Sequence, residues 1–338
     1  MNTEDLIIDT HAHLYPERFL DLIEDQKDTY PVQIVRNKEG LRVLLFYGRE
    51  FLVFHPNFYR ADVRLAEMAA SNVDFQVLSI ALPIVYWADA ELGRELCQVY
   101  NDELAAVVKM HSDKFVGLAA VPLQDPPSAV RELERAVKNL GMRGCLIGSN
   151  IDGRDLDAEE FEAFFAASAE LDAPIYIHPI LPAGGERMWD YRLDVLLGFP
   201  LDTTLAAARI VFSGILERYP NLKIVLSHLG GALPFLSGRL AKGSETFEGV
   251  EKRISGDAGE YFQMFYLDTI AYAPEVLTFG TRWIGTERIV FGTDSPFFGA
   301  QNLRDCLSLV KKSPDLSQEE KRAILTETPK EIFKIDTI

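Results

Sequence analysis

Short apolar runs rich in β-branched residues alternate along the chain with longer stretches whose apolar positions recur at helical spacing. That alternation predicts parallel strands buried on both faces and joined by helices packed over them. Strands are expected near residues 6–12, 74–82, 115–121, 142–148, 174–178, 223–228, 265–269 and 289–293. Helices are expected at about 60–72, 90–112, 127–140, 157–171, 201–218, 232–241, 274–284 and 301–312. A last helix is expected over 317–333, opening at Ser317 with Glu320 three residues on, the spacing of a capping box. Eight strand–helix pairs predict an α/β fold closed on itself, a (β/α)8 TIM barrel, as a single domain over 1–338. An open dinucleotide-binding sheet is disfavoured, because no GxGxxG follows the first strand.

The rhythm breaks between residues 14 and 59, too long a stretch for an ordinary βα loop. Two apolar runs inside it, 43–46 and 51–54, predict a small hairpin. An insertion after the first strand lies at the catalytic end of such a barrel, which makes it a lid or specificity element.

The bulk numbers narrow the class further. Hydrophobic residues are 48% and charged residues 25%, the balance of a globular chain with a large core. A net charge of −17 with no basic block argues against nucleic acid as a partner. No apolar run approaches the roughly 20 residues that span a bilayer, and no basic leader precedes the first strand, so no membrane partner is expected. Cys97, Cys145 and Cys306 are odd in number and widely spaced, which fits a reducing, cytoplasmic setting without a disulfide framework.

Chemistry concentrates at the predicted strand ends. His11 and His13 stand two apart, so in a strand they project to one side about 6.5–7 Å apart, while small Ala12 faces away. His178 follows the run 174–177, His228 follows 224–227, and Asp294 follows 289–293. Any one of these is more often a hydrogen-bonded core residue than a ligand. Four of the six histidines and an aspartate on one rim are best explained by a metal site. Imidazoles with a carboxylate suit Zn²⁺ best, with Mn²⁺, Fe²⁺ or Co²⁺ compatible. Three imidazoles and one carboxylate leave a position open for water, and the bound ion then activates that water or acts as a Lewis acid. Strand 142–148 offers no lysine to bridge a second ion, so one metal is expected. His111 reads as a solvated residue, and His55, near Arg49 in the insertion, is a weaker candidate for substrate contact.

With these segments assembled, the sequence resembles the amidohydrolase superfamily. Within it the chain is most similar to the metal-dependent decarboxylase branch, typified by 2-amino-3-carboxymuconate-6-semialdehyde decarboxylase. The resemblance runs over nearly the whole chain, through Asp9-Thr10-His11-Ala12-His13, Ile177-His178-Pro179, Ser227-His228-Leu229-Gly230-Gly231 and Gly292-Thr293-Asp294-Ser295-Pro296-Phe297. It implies a mononuclear, usually zinc, site of His11, His13, His178 and Asp294, with His228 as the acid/base group. Asp294 counts as catalytic as well as a ligand. It also implies a homodimer in which Arg239 reaches the neighbouring subunit's site to hold a substrate carboxylate. One departure stands out: Leu52 occupies the place of the branch's second carboxylate-binding arginine, with Arg49 and His55 nearby but out of register. Leucine supplies no bidentate fork, which favours a related acid of different shape.

The leading reading is non-oxidative decarboxylation of an unsaturated or aromatic carboxylic acid, a carbon–carbon lyase reaction on a small molecule. Tyr86, Trp87, Trp189, Phe297 and Phe298 are candidates to wall a planar substrate. The alternative is a metal-dependent hydrolase acting on a lactone, amide or similar bond, since both reactions use the same ligands. A non-catalytic barrel is the third possibility, disfavoured because every expected ligand position is filled.

Overall fold

In the computed structural model, which describes residues 6–26, 29–182 and 185–335, the barrel expected from the sequence is present. Its wall begins with β1 (Ile8–His13), which leads into the insertion strands β2 (Val32–Arg36), β3 (Arg42–Phe46) and β4 (Arg49–Phe54). The wall resumes with β5 (Phe75–Ser79), β6 (Phe115–Gly117), β7 (Ala119–Ala120) and β8 (Cys145–Gly148). A two-residue hairpin pair, β9 (Asn150–Ile151) and β10 (Arg154–Asp155), precedes β11 (Ile175–His178), β12 (Ile224–Leu226), β13 (Tyr266–Asp268) and β14 (Ile289–Val290).

Two parallel sheets make the wall, ordered β1-β5-β6 and β14-β13-β12-β11-β8-β7. They are one surface, because β6 and β7 are halves of a single path. The Leu118 amide still bonds Leu78 on one side at 2.8 Å, and the next amide, Ala119, bonds Gly144 on the other at 2.9 Å. The ring closes where Thr10 N donates to Phe291 O at 2.8 Å and His13 N donates to Ser295 O at 2.7 Å. Helices on the outside bury one face each, as Pro126–Leu140 does through Ala129, Leu133 and Ala136.

The chain departs from the simple pattern where geometry requires it. The expected helix 201–218 stops at Phe212, and a separate turn, Ile215–Arg218, follows. Gly214 makes the break at φ 77°, and a Cβ there would lie 2.4 Å from the Arg253 carbonyl oxygen. The expected helix 317–333 opens with the Ser317–Glu320 capping box, then passes through a π turn at Ala323–Glu327 before Thr328–Phe333. Pro329 in that stretch has no amide to continue the ladder. The stretch Asp190–Phe212 is apolar enough by composition to cross a bilayer, unlike the sequence expectation, yet Thr203, Ala207, Ile210 and Val211 are buried in the fold.

The insertion is larger than the hairpin expected of it. A helix, Glu17–Glu24, buries Phe19, Leu20 and Ile23, and β2-β3-β4 form a three-stranded antiparallel sheet. Val32 and Ile34 of β2 are the buried alternate positions of a short strand. Arg42 in the middle strand pairs with Glu17, Asp21 and Glu24 of that helix, fastening the sheet to it.

A buried arginine then ties the insertion to the barrel mouth. Arg64, in helix Ala61–Ser71, is fully buried. Its guanidinium donates to the carbonyl oxygens of His13 and Asn57 and to the Ser295 hydroxyl. One side chain thus joins the end of β1, the return of the insertion and the loop after β14. Arg64→Met removes the donors and keeps the apolar stem. At about 1–3 kcal/mol for each of the three acceptors left unmatched, the expected loss of stability is on the order of 3–9 kcal/mol. It is read as a lower urea midpoint, and an unchanged midpoint would show that these acceptors find other donors.

Candidate metal centre

Five side chains foreseen at strand ends meet at the barrel mouth. His11 and His13 end β1, His178 ends β11, His228 follows β12, and Asp294 follows β14. The ring centroids of His11 and His13 are 4.8 Å apart, those of His13 and His178 5.0 Å, and those of His178 and His228 5.6 Å. Asp294 is the hub. Its Oδ1 lies 3.0 Å from His13 Nε2 and 3.4 Å from His11 Nε2, and its Oδ2 lies 3.5 Å from His228 Nε2. His11, His178, His228 and Asp294 each offer a ligand atom within 4.8 Å of the others, close enough to hold a divalent ion, and His13 Nε2 stands 3.0 Å from the same Asp294 carboxylate.

The donor chemistry fits a cation. His11 Nδ1–H donates to Asp268 at 2.8 Å and His178 Nδ1–H donates to the Pro179 carbonyl at 2.8 Å. Each bond fixes the tautomer and leaves a lone pair on Nε2. Both Nε2 atoms are buried with no hydrogen-bond partner. The Ser79 hydroxyl, donating to the Ala12 carbonyl at 3.2 Å, accepts from His13 Nδ1–H at 3.1 Å. His13 Nε2 then also presents a lone pair, facing a carboxylate oxygen. Lone pairs converging on one point in a buried space are relieved by a positive charge between them.

Electrostatics agree for His13 and His178. Burial lowers the His13 pKa to about 4 and pushes that of His178 well below the usual value, so both imidazoles are neutral. For His11 burial acts in the same sense, but the Asp268 hydrogen bond and the charges of Asp294 and Asp268 outweigh it and raise the pKa. Burial alone would raise Asp294, yet the close imidazoles of His13, His228 and His11 hold it well below the usual range.

His228 arrives by unusual backbone. His228, Leu229, Gly230 and Gly231 all have positive φ, at 53°, 53°, 71° and 64°. Two non-glycine residues in succession there are costly. Asp268 offsets the cost by accepting from the His228 amide at 3.0 Å and the Leu229 amide at 2.9 Å. The turn packs so closely that a Cβ on Gly231 would lie 2.0 Å from the Pro200 carbonyl oxygen. Asp268 was not foreseen, although it lies at the end of β13 much as Asp294 follows β14. Its position near a strand end is visible in the sequence, but a carboxylate there is common and does not by itself mark a site.

A cavity of about 620 Å³ opens from this cluster. His178, His228 and Asp294 line it, whereas His11 and His13 are fully buried outside its wall. Phe297 and Phe298 line it as expected of aromatic walls, joined by Phe51, Leu52, Phe199 and Tyr272. Tyr86, Trp87, Trp189 and Arg49 line instead a neighbouring cavity of about 660 Å³, where the Arg49 guanidinium lies 4.7 Å from the Trp189 ring centre. His55 is exposed and lines neither cavity, and Arg239 is exposed on helix Leu233–Thr246. Arg192, which no periodicity marks, lines both cavities.

Comparison with known proteins agrees with this geometry. A family model described as amidohydrolase matches residues 8–335. The chain is 33% identical over 295 residues to 2-amino-3-carboxymuconate-6-semialdehyde decarboxylase of Dictyostelium discoideum, covering 86% of this chain and 82% of that one. Its fold superposes on 5-carboxyvanillate decarboxylase of Sphingomonas paucimobilis with a TM-score of 0.85 and 27% identity, over 98% of this chain and 99% of that one. Against dihydroxybenzoic acid decarboxylase of Polaromonas sp. JS666, solved with manganese and 2-nitroresorcinol, the TM-score is 0.81 at 26% identity, over 99% and 98% of the two chains. The chain belongs to the amidohydrolase family, in its branch of metal-dependent nonoxidative decarboxylases.

Proposed function

We propose that this carboxy-lyase removes CO₂ from an aromatic or otherwise unsaturated acid at one divalent ion held by His11, His13, His178 and Asp294, with His228 as acid/base. The observation that carries the reading is the meeting of unpartnered His11 and His178 Nε2 atoms with Asp294 at the end of an apolar cavity. When bound, the ion supplies positive charge that polarises substrate oxygens and draws electron density from the breaking bond. Three imidazoles and a carboxylate suit Zn²⁺, and the manganese of the Polaromonas structure makes Mn²⁺ the other ion to load.

His228 is assigned the proton because it is placed differently from the other imidazoles. It is partly exposed, it lines the cavity, and its Nδ1 has no partner. It delivers a proton to the carbon that carries the carboxylate; as the C–C bond breaks, CO₂ departs and the bonding pair remains with that carbon. The surrounding Leu, Val, Ile and Phe side chains keep water from competing for the carbon. The insertion belongs to the same unit, since its Phe51 and Leu52 help wall the cavity, while Arg49 and Trp189 shape the approach.

We read the active form as a cytoplasmic homodimer. Helices Phe199–Phe212, Leu233–Thr246 and Pro274–Ile284 pack in series and leave Leu205, Phe235 and Phe279 exposed, Phe235 to 79%. That much exposed aromatic surface favours a partner of the same kind. Arg239 is four residues from Phe235, one helical turn along the same face, so pairing of this face would bring Arg239 to the seam, from which the resemblance to the branch has it reach the neighbouring site. The three cysteines are buried thiols, as suits a reducing compartment.

Chelation should abolish CO₂ release from activated aromatic acids, and added Zn²⁺ or Mn²⁺ should restore it; full turnover in metal-free protein would sink the reading. Asp294→Asn, His178→Ala and His13→Ala should each lower bound metal at least tenfold by elemental analysis. His228→Ala should keep its metal and lose more than about 100-fold in kcat, the usual scale for a lost acid/base group. Loss of metal there, with retention in His13→Ala, would exchange the two roles. Mixing Arg239→Ala with His228→Ala subunits should recover part of the activity if sites are shared, and no recovery counts against sharing.

A further inference from the structure

Beside the metal centre lies the cavity of about 660 Å³, whose wall includes none of the five side chains that meet at the barrel mouth. It shares Phe51, Leu82 and Arg192 with the metal cavity, so those side chains stand between the two. Trp87 and Trp189 give it flat apolar walls, and no step of the reaction proposed above takes place in it.

Asp194 of that wall has an unmet need. It is only 8% exposed, and its Oδ1 makes no hydrogen bond among the described residues. Arg192 comes closest, but its Nε is 3.8 Å from Oδ1, too far for a hydrogen bond. The Arg192 guanidinium lies instead over the Phe51 ring, 4.8 Å from its centre. A carboxylate removed from water without a donor is costly, so an N–H or O–H from a ligand is what completes it. Tyr86 lines the same cavity with the opposite need. Its hydroxyl accepts from the Gly148 amide at 3.3 Å, and among the described residues its own proton has no acceptor. Burial raises its pKa, so the proton stays.

We propose that this cavity is a second small-molecule site, taking a neutral planar ring whose hydroxyl donates to Asp194. A hydroxyl suits both residues, since it donates to a carboxylate and accepts from a phenol. Charge selects against an acid. Glu50, Asp152 and Asp194 line the wall with Arg49 and Arg192, three carboxylates against two guanidiniums. A ring that carries a hydroxyl and no carboxylate is therefore what the site takes, stacked against its tryptophans. Binding here depends on Asp194, Tyr86 and the walls alone, and so is independent of the chemistry assigned to the metal centre.

Two of the three tryptophans, Trp87 and Trp189, line the cavity, so tryptophan fluorescence of metal-loaded protein reports its occupancy. The probes are 4-methylphenol, its methyl ether 4-methylanisole, which has the ring without the donor, and 4-methylbenzoate. The phenol should change the emission saturably and bind about 10-fold more tightly than either of the others, the worth of a hydrogen bond to a charged acceptor. Asp194→Asn should remove most of that advantage and leave binding of the methyl ether unchanged. Because the free carboxylate lacks donors, the same variant should keep its metal and hold or raise its urea midpoint. Equal binding of phenol and ether, as for a cavity that only water fills, overturns the proposal, and so does unaltered phenol binding in Asp194→Asn. A lowered midpoint in that variant would make Asp194 a structural residue, which overturns it too.

Discussion

A single buried carboxylate organises the mouth of this barrel. Asp268 accepts from His11 Nδ1 at 2.8 Å, the Tyr176 hydroxyl at 3.1 Å, and the amides of His228, Leu229 and Ile270 at 3.0, 2.9 and 3.0 Å. A charge fully removed from water is tolerated only with such saturation, and here the donors outweigh burial and keep the group ionised. The same bonds set the His11 tautomer and hold the left-handed turn that carries His228. One side chain thus positions both His11, a proposed donor for the ion, and His228, the proposed proton carrier, so the two are aligned together.

The closed wall explains why residues so far apart in sequence can share a carboxylate. Parallel strands all end on one rim, so the residue that ends each strand faces the same mouth. Arg64 then fastens three of the segments that meet there, through the carbonyls of His13 and Asn57 and the hydroxyl of Ser295. Asp9, one turn of strand deeper, accepts from Gln76, Thr293 and the His11 amide, with burial raising its pKa to about 6. Rigid support of this kind is what a site of converging lone pairs requires.

Much of this was legible in the chain because barrels write their sites at strand ends. The alternation of β-branched runs with helical stretches located the eight wall strands, and the polar residues closing those runs located His11, His13, His178, His228 and Asp294. The same rule covers Asp268, the last residue of β13. Other parts were not legible for physical reasons. The π turn at 323–327 and the left-handed turns at 191–192 and 228–229 depend on tertiary packing that overrides local preference. Arg64 looks like any helix arginine until its helix is docked. Arg192 lies in a stretch without periodicity, so only the fold shows that it faces the cavity.

The insertion sheet has a consequence for how the protein can change over time. Every proposed ligand comes from a barrel strand or the turn that ends it, whereas Phe51 and Leu52 come from β4, on a panel that Arg42 bolts to its own helix. The panel's three strands pair only with one another among the described strands, and their edge helps line the pocket. Drift along it can recut the shape offered to incoming molecules while the reactive apparatus stays untouched. Diversification of diet and conservation of chemistry are thereby written in separate stretches of one gene product.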